Sequence, residues 1–368
     1  MPICERCLNT DLRTFVNIRG QWICRRCIAY QGDDAQPVFS EDTVDYKLSF
    51  KLTKAQMEIS NQTKTLVKTS DVLIWAVCGA GKTELVMETI QDQLNRSQSV
   101  GVAVARKQVA LQLYQRFKDA FPILKVIVVC EGHTQDLKGH LIITTTHQLY
   151  RFRKSFDCLI LDEPDAFPYR NNPVLEGFMR QAVKGHIIYL TATPDKKLLR
   201  QVKQGKLKML KLNQRPHLVP LPIPELIFSP FWVQVIILAM ILKRSKKTWL
   251  IFVPSLKVGK RLSKILRLPF VHASSENLDE LIQGFKSKSI KRMVTTTVLE
   301  RGVTFSDIQV AIIQADHRVF DTAVLTQIAG RVGRDPAYPS GEVKFLCFRL
   351  SNALRTCLHD LRKANPSA

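Results

Sequence analysis

Residues 72–84 read Val-Leu-Ile-Trp-Ala-Val-Cys-Gly-Ala-Gly-Lys-Thr-Glu, and no other stretch restricts the fold of this chain as much. Residues 72–77 form an apolar, β-branched and aromatic run of strand length, and residues 84–90 carry the apolar spacing of a helix. A glycine turn between a strand and a helix start is the setting a phosphate-binding loop requires. Glycines let backbone N–H groups curl around phosphate oxygens, and the helix N-terminus adds partial positive charge. On this reading Gly79, Ala80 and Gly81 cradle ATP, Lys82 reaches the β- and γ-phosphates, and Thr83 ligates Mg2+. Ala76 stands where the strict pattern has its first glycine. An ordinary glycine turn is the alternative, and it weakens as further motifs accumulate downstream.

The 368 residues leave room for two or three domains, and 45% hydrophobic with 23% charged residues is a globular composition. Charge is the unusual property. With 54 Lys and Arg against 32 Asp and Glu, the formal net charge is +22. Such a surplus suits a polyanion, either nucleic acid or an anionic membrane face, without choosing between them. The polar, cysteine-rich opening is not a secretory signal. The most apolar run, residues 231–242, falls short of the roughly 20 residues a bilayer span needs and reads as a buried helix. No transmembrane segment is expected. Nine cysteines, four of them in two close pairs, favour a reducing compartment with bound metal over a disulfide framework.

Those pairs are Cys4-x-x-Cys7 and Cys24-x-x-Cys27. Two tight Cys-x-x-Cys turns at this separation can place four thiolates tetrahedrally around one Zn2+, giving a closed structural site. The intervening residues suggest a hairpin of zinc-ribbon type, whose few residues would depend on the metal for folding energy. Its arginines fit nucleic-acid contact and a solvated surface equally. Residues 31–45 are polar and acidic and read as a linker. Residues 52–56 then open a helix in which Gln56 could reach an adenine edge through its amide.

Beyond the phosphate loop, strands are expected at residues 100–105, 124–129, 141–145, 156–161 and 186–190, alternating with helices. Apolar strands that end in polar residues imply a doubly wound parallel sheet, with ligands at the C-terminal strand edge. Asp162 follows one such strand and would hold Mg2+, while Glu163 would polarise the attacking water. Prolines at 216, 220, 222 and 224 follow a basic run spanning residues 196–211 and mark a boundary. A second α/β alternation runs from there to residue 347. The division expected is residues 1–42 for the zinc module and linker, 43–212 for the first α/β domain, and 213–368 for the second.

Two stretches of the second domain carry chemistry. Residues 295–304 read Thr-Thr-Thr-Val-Leu-Glu-Arg-Gly-Val-Thr after a strand, and residues 327–334 read Gln-Ile-Ala-Gly-Arg-Val-Gly-Arg, expected on a helix. At i and i+3, Arg331 and Arg334 would share one helix face and stabilise charge on a γ-phosphate, as arginine fingers do. A basic surface helix is the plainer possibility. The ordered set of phosphate loop, Asp-Glu-Pro-Asp, Thr-Ala-Thr, Thr-Thr-x-x-x-Arg-Gly and Gln-x-x-Gly-Arg-x-Gly-Arg resembles the superfamily 2 helicases and translocases.

Within that superfamily the chain resembles the ComFA family of bacterial late competence proteins, in its N-terminal four-cysteine module, Gly-Ala-Gly-Lys-Thr loop and Asp162-Glu-Pro-Asp165. The resemblance implies two tandem RecA-like domains with ATP between them. Lys82, Asp162, Glu163, Gln327, Arg331 and Arg334 would be catalytic, with Gln56 and Gly302 at the nucleotide. It implies nucleic-acid contacts at Arg106, Thr145, Thr146 and Thr296, and coupling of hydrolysis to movement at Thr191, Thr193 and Arg301. It also implies a DNA-stimulated ATPase that moves along single-stranded DNA, taking up transforming DNA at the cytoplasmic face of the cell membrane. A ComFC-type protein and a membrane DNA channel would be partners, and a homo-oligomer is possible. Two alternatives stand beside it. One is a duplex-unwinding helicase like the replication-restart protein PriA, a much longer chain whose zinc cysteines lie in the second motor domain. The other is a non-hydrolysing DNA clamp, which would not need Glu163 or the two arginines.

Overall fold

The structure, a computed structural model, describes residues 2–299 and 305–365. Its contacts divide the chain into two units, Met1–Ala76 with Gly81–Leu212, and Asn213–Ala368 with Val77–Ala80.

The first unit is built on seven strands in the order Leu207–Leu212, Asp71–Ala76, Val183–Thr191, Phe156–Asp162, Val100–Val104, Leu141–Thr145, Val126–Val129. Every neighbouring pair is parallel. Val100–Val104 and Leu141–Thr145 are buried throughout, and Asp71–Ala76 at all but Asp71 and Trp75, as β-branched runs covered on both faces must be. Register brings the functional ends level: Thr191 pairs with Trp75, and Asp162 with both Leu190 and Val104. The Lys54–Leu66 helix starts on a capping box in which Thr53 and Gln56 satisfy each other's backbone N–H groups. The basic run over residues 196–211 is structured. It forms the Lys196–Lys203 helix, capped by Asp195, and an edge strand with Lys208 and Lys211 exposed.

The cysteine module belongs to this unit. Its hairpin pairs Phe15–Ile18 with Gln21–Cys24 across Arg19 and Gly20, both at positive φ. Cys7, Phe15, Cys24 and Cys27 share one apolar cluster with Leu175, Phe178 and Met179 of the Pro173–Ala182 helix. The approach is so close that a Cβ at Gly177 would lie 1.9 Å from the Cys7 carbonyl oxygen. The segment expected as a linker is also fixed in place at its start. Tyr150 Oη donates to Gln31 O at 2.6 Å, an Arg151 guanidinium nitrogen donates to Asp33 O at 2.6 Å, and Gln36–Pro37 pairs with Lys138–Gly139. Its backbone polarity is satisfied by the unit it crosses.

The second unit carries six parallel strands in the order Glu225–Phe228, Val343–Cys347, Ile308–Ile313, Thr248–Phe252, Arg292–Thr295, Phe270–Val271. The Phe231–Arg244 and Leu256–Leu266 helices pack on one face of this sheet through Val235, Leu238, Leu242 and Leu262. The first of them corrects the expectation of a buried helix. Only one side is covered, and Trp232, Ile236 and Met240 are exposed. A second correction concerns residues 327–334. The helix is Thr322–Ala329 with Gly330 as its C-cap, and the chain then turns with Gly333 at φ +68°. Arg331 and Arg334 therefore do not share a helix face.

Candidate nucleotide site and four-cysteine cluster

Positive φ angles at Gly79 (+82°) and Gly81 (+76°) give the phosphate loop the left-handed turns that glycine permits. A Cβ at Gly81 would meet the Gln56 side-chain nitrogen at 2.7 Å. Gln56 is buried, and its Oε1 accepts from Thr53 N at 2.9 Å, so this amide faces the loop from a fixed helix start. Lys82 and Thr83 precede a short Glu84–Val86 turn and the Met87–Leu94 helix, and Thr83 makes no side-chain capping bond. These residues fit an ATP phosphate chain with its Mg2+, the group this loop chemistry holds.

At the same sheet edge, Asp162 ends its strand and Glu163 follows at φ +54°, a left-handed backbone that costs a non-glycine residue on the order of 1 kcal/mol or more. Glu163 is held there by its backbone N–H, which donates to Leu190 O at 2.8 Å. The last residue of the motif, Asp165, is buried and accepts from two hydroxyls, Thr191 Oγ1 and Thr193 Oγ1, each at 2.6 Å. Thr191 Oγ1 also accepts from Thr193 N at 3.0 Å, and Trp75 Nε1 donates to Ala192 O at 3.1 Å. The Thr-Ala-Thr loop is thus fastened to the acidic loop and to the strand that feeds the phosphate loop. Sequence reasoning placed the threonines but gave Asp165 no role; its position three residues after Asp162 was the available signal.

The residues expected on nucleic acid are unevenly disposed. Arg106 is half-buried at the start of the Lys107–Ala120 helix and Thr296 is half-buried, but Thr145 and Thr146 are buried, at 6% and 0% exposure. The Thr146 hydroxyl does not reach the surface. Arg301 and Gly302 lie outside the described residues.

Within the second unit, Gln327 is buried, and its Oε1 accepts from Cys78 Sγ at 3.2 Å. Arg331 is buried with its guanidinium carbon 5.8 Å from the Phe305 ring centre, whereas Arg334 is half-buried and donates from Nε to Gly330 O at 3.0 Å. Arg215, which sequence reasoning missed, organises this turn. It is 2% exposed and donates to Cys78 O (2.9 Å), Val332 O (2.9 Å), Gly333 O (2.7 Å) and Gly330 O (3.0 Å). Burial pushes its pKa down to about 10, which leaves it protonated at neutral pH. No local pattern marked it, since its partners lie more than a hundred residues away in sequence.

The four cysteine Sγ atoms of the N-terminal module lie within 4.8 Å of one another. Two pairs stand at 3.4 Å (Cys4–Cys27) and 3.7 Å (Cys7–Cys24), close to the roughly 3.8 Å edge of a tetrahedron with 2.3 Å Zn–S bonds. Burial pushes the Cys7 thiol up to about 12 and raises Cys27 further, whereas Cys4, against its burial, is lowered by the backbone N–H groups of Cys7 and Arg6, so thiolates at Cys7 and Cys27 call for a bound cation. The donor set suits Zn2+.

The family model for the helicase conserved C-terminal domain matches residues 233–336, and that for the type III restriction enzyme res subunit matches residues 49–196. Together with two parallel α/β units and the phosphate loop, these matches define a superfamily 2 helicase. Solved structures share the fold: S. cerevisiae Dbp5 bound to RNA and ADP BeF3 gives a TM-score of 0.64 at 16% identity, covering 85% of this chain and 88% of that one. RecG bound to a three-way DNA junction gives 0.60 at 18%, covering 85% and 45%. The chain is 32% identical to the competence protein ComFA of Bacillus subtilis (strain 168), over 99% of its own length and 86% of that protein. It is equally similar, at 32%, to the ComFA of Streptococcus pneumoniae (strain ATCC BAA-255 / R6), over 99% and 90%. The chain belongs to the ComFA family.

Proposed function

We propose that this protein is a DNA-stimulated ATPase that moves along single-stranded DNA and drives uptake of transforming DNA. Lys82, Thr83 and Asp162 hold the phosphates and Mg2+, and Glu163 orients the attacking water. Mg2+, when bound, neutralises charge on the phosphate oxygens. Gln327, Arg331 and Arg334 act on the transferring phosphate. Arg106, Thr145, Thr146 and Thr296 grip the strand backbone, Thr191, Thr193 and Arg301 couple hydrolysis to movement, and Gly302 lies at the nucleotide. The cysteine cluster holds Zn2+. A ComFC-type protein and a membrane DNA channel are the partners proposed, with a peripheral location at the cytoplasmic face of the membrane. No helix among the described residues is long and apolar enough to cross one.

The observation that carries this reading is the Asp165 carboxylate bonded to both Thr191 and Thr193. It fastens the hydrolytic loop to a neighbouring strand end, so a change at Glu163 on hydrolysis is transmitted as backbone movement rather than dissipated. The test is ATP-dependent displacement of streptavidin from a biotinylated single strand. Displacement without separation of a forked duplex is the result expected. Strand separation would establish the unwinding alternative, and no displacement with intact ATP turnover would contradict translocation.

A further inference from the structure

The Phe231–Arg244 helix is apolar over most of its length, yet one of its sides is largely exposed. Trp232, Ile236 and Met240, four residues apart, are 51%, 58% and 46% exposed, and Val233 widens the stripe. The neighbouring Leu256–Leu266 helix brings Arg261 to the stripe, its guanidinium 4.1 Å from the Trp232 ring centre. Isolated exposed apolar residues need no explanation, but a stripe running along one helix does.

The charge around the stripe is one-sided. Residues 226–275 contain nine lysines and arginines and no aspartate or glutamate. All nine are exposed, and of them Lys247 pairs with Glu342 at 3.3 Å. At the C-terminal end of the apolar helix, Lys243, Lys246, Lys247, Lys291 and Arg292 line an open depression of about 670 Å³. Arg292 donates there to Ser245 O at 3.1 Å and keeps its charge, so it adds to the positive potential of the lysines.

We propose that this two-helix face is a docking surface for an anionic lipid bilayer. Trp232, Ile236 and Met240 enter the boundary between headgroups and acyl chains. The surrounding cations, with the lysine-lined depression, take the headgroup phosphates. Aromatic and aliphatic residues on one line with cations beside them is the pattern of a helix lying in a membrane interface. A nucleic-acid strand would match the cations and Trp232, but it offers nothing to the aliphatic Val233, Ile236 and Met240. The proposal gives the peripheral membrane location a surface, and rests on that part of the functional reading.

The test is flotation of the full-length protein, without ATP or DNA, with vesicles of equal parts phosphatidylglycerol and phosphatidylcholine. Binding is expected, with little to vesicles of phosphatidylcholine alone and a blue shift of tryptophan emission. Ile236→Glu should weaken it at least about tenfold, and so should Lys243→Glu with Lys246→Glu. Circular dichroism and DNA-stimulated ATP turnover of Ile236→Glu should match the unaltered protein, which separates loss of docking from loss of the motor. Absence of vesicle binding, or binding indifferent to Ile236→Glu, overturns the proposal. So does self-association that Ile236→Glu abolishes, which would assign the face to a second copy. Weakened oligonucleotide binding in Ile236→Glu would assign it to nucleic acid and overturn the proposal as well.

Discussion

At the scale of single residues, Asp165 and Arg215 do the fastening. Asp165→Asn keeps the shape but replaces a carboxylate that accepts from two hydroxyls with an amide that offers one oxygen. We expect basal ATP turnover within a few-fold of normal, with stimulation by single-stranded DNA reduced at least about tenfold, read from turnover with and without an oligonucleotide. Arg215→Ala strands four carbonyl groups in a buried turn. Loss of about 3 kcal/mol in urea unfolding is expected, with no recovery in Arg215→Lys, because an ammonium cannot span the same fork. Gly79, Gly81 and Lys82 are legible because their chemistry is complete within a dozen neighbours. Arg215 is not legible, because its role exists only once distant carbonyls converge on it. Glu163 lies between these cases: its identity was readable and its left-handed backbone was not.

At the scale of elements, the cysteine module is built into the first unit through the Pro173–Ala182 helix. Gly177 is the contact that decides this, since any side chain there would strike the Cys7 backbone. Gly177→Ala should therefore loosen the module, costing about 2 kcal/mol in thermal or urea unfolding and lowering zinc content by metal analysis. Removing metal with a chelator should lower the melting temperature of that whole unit instead of unravelling a detached finger. Six of the seven strands of the first sheet were legible to within a few residues, because buried parallel strands are continuous apolar runs, whereas Glu225–Phe228 of the second was not. Three further features were not. The edge strand Leu207–Leu212 is lysine-rich because only one side of it needs to be covered. The opening of the expected linker, at residues 31–37, is fixed because Tyr150 and Arg151 satisfy its carbonyls. The final motif leaves its helix at Gly330, where glycine-rich sequence favours a turn over continued helix.

At the scale of the whole molecule, a formal charge of +22 suits two polyanions, and the two readings above give it both. One is a DNA strand gripped by its phosphates and the other is a bilayer face met by the acid-free segment of residues 226–275. Charge alone ranks neither; the ordered motifs argue for the first and the exposed apolar stripe for the second. The central claim is that the first unit's sheet edge hydrolyses ATP in response to single-stranded DNA. ATP turnover by the purified protein, with and without an oligonucleotide, tests it most directly when Glu163→Gln is measured beside it. We predict strong stimulation by the single strand and a fall of at least about a hundredfold in Glu163→Gln with nucleotide binding retained. Turnover indifferent to DNA, or unchanged in Glu163→Gln, would contradict the account.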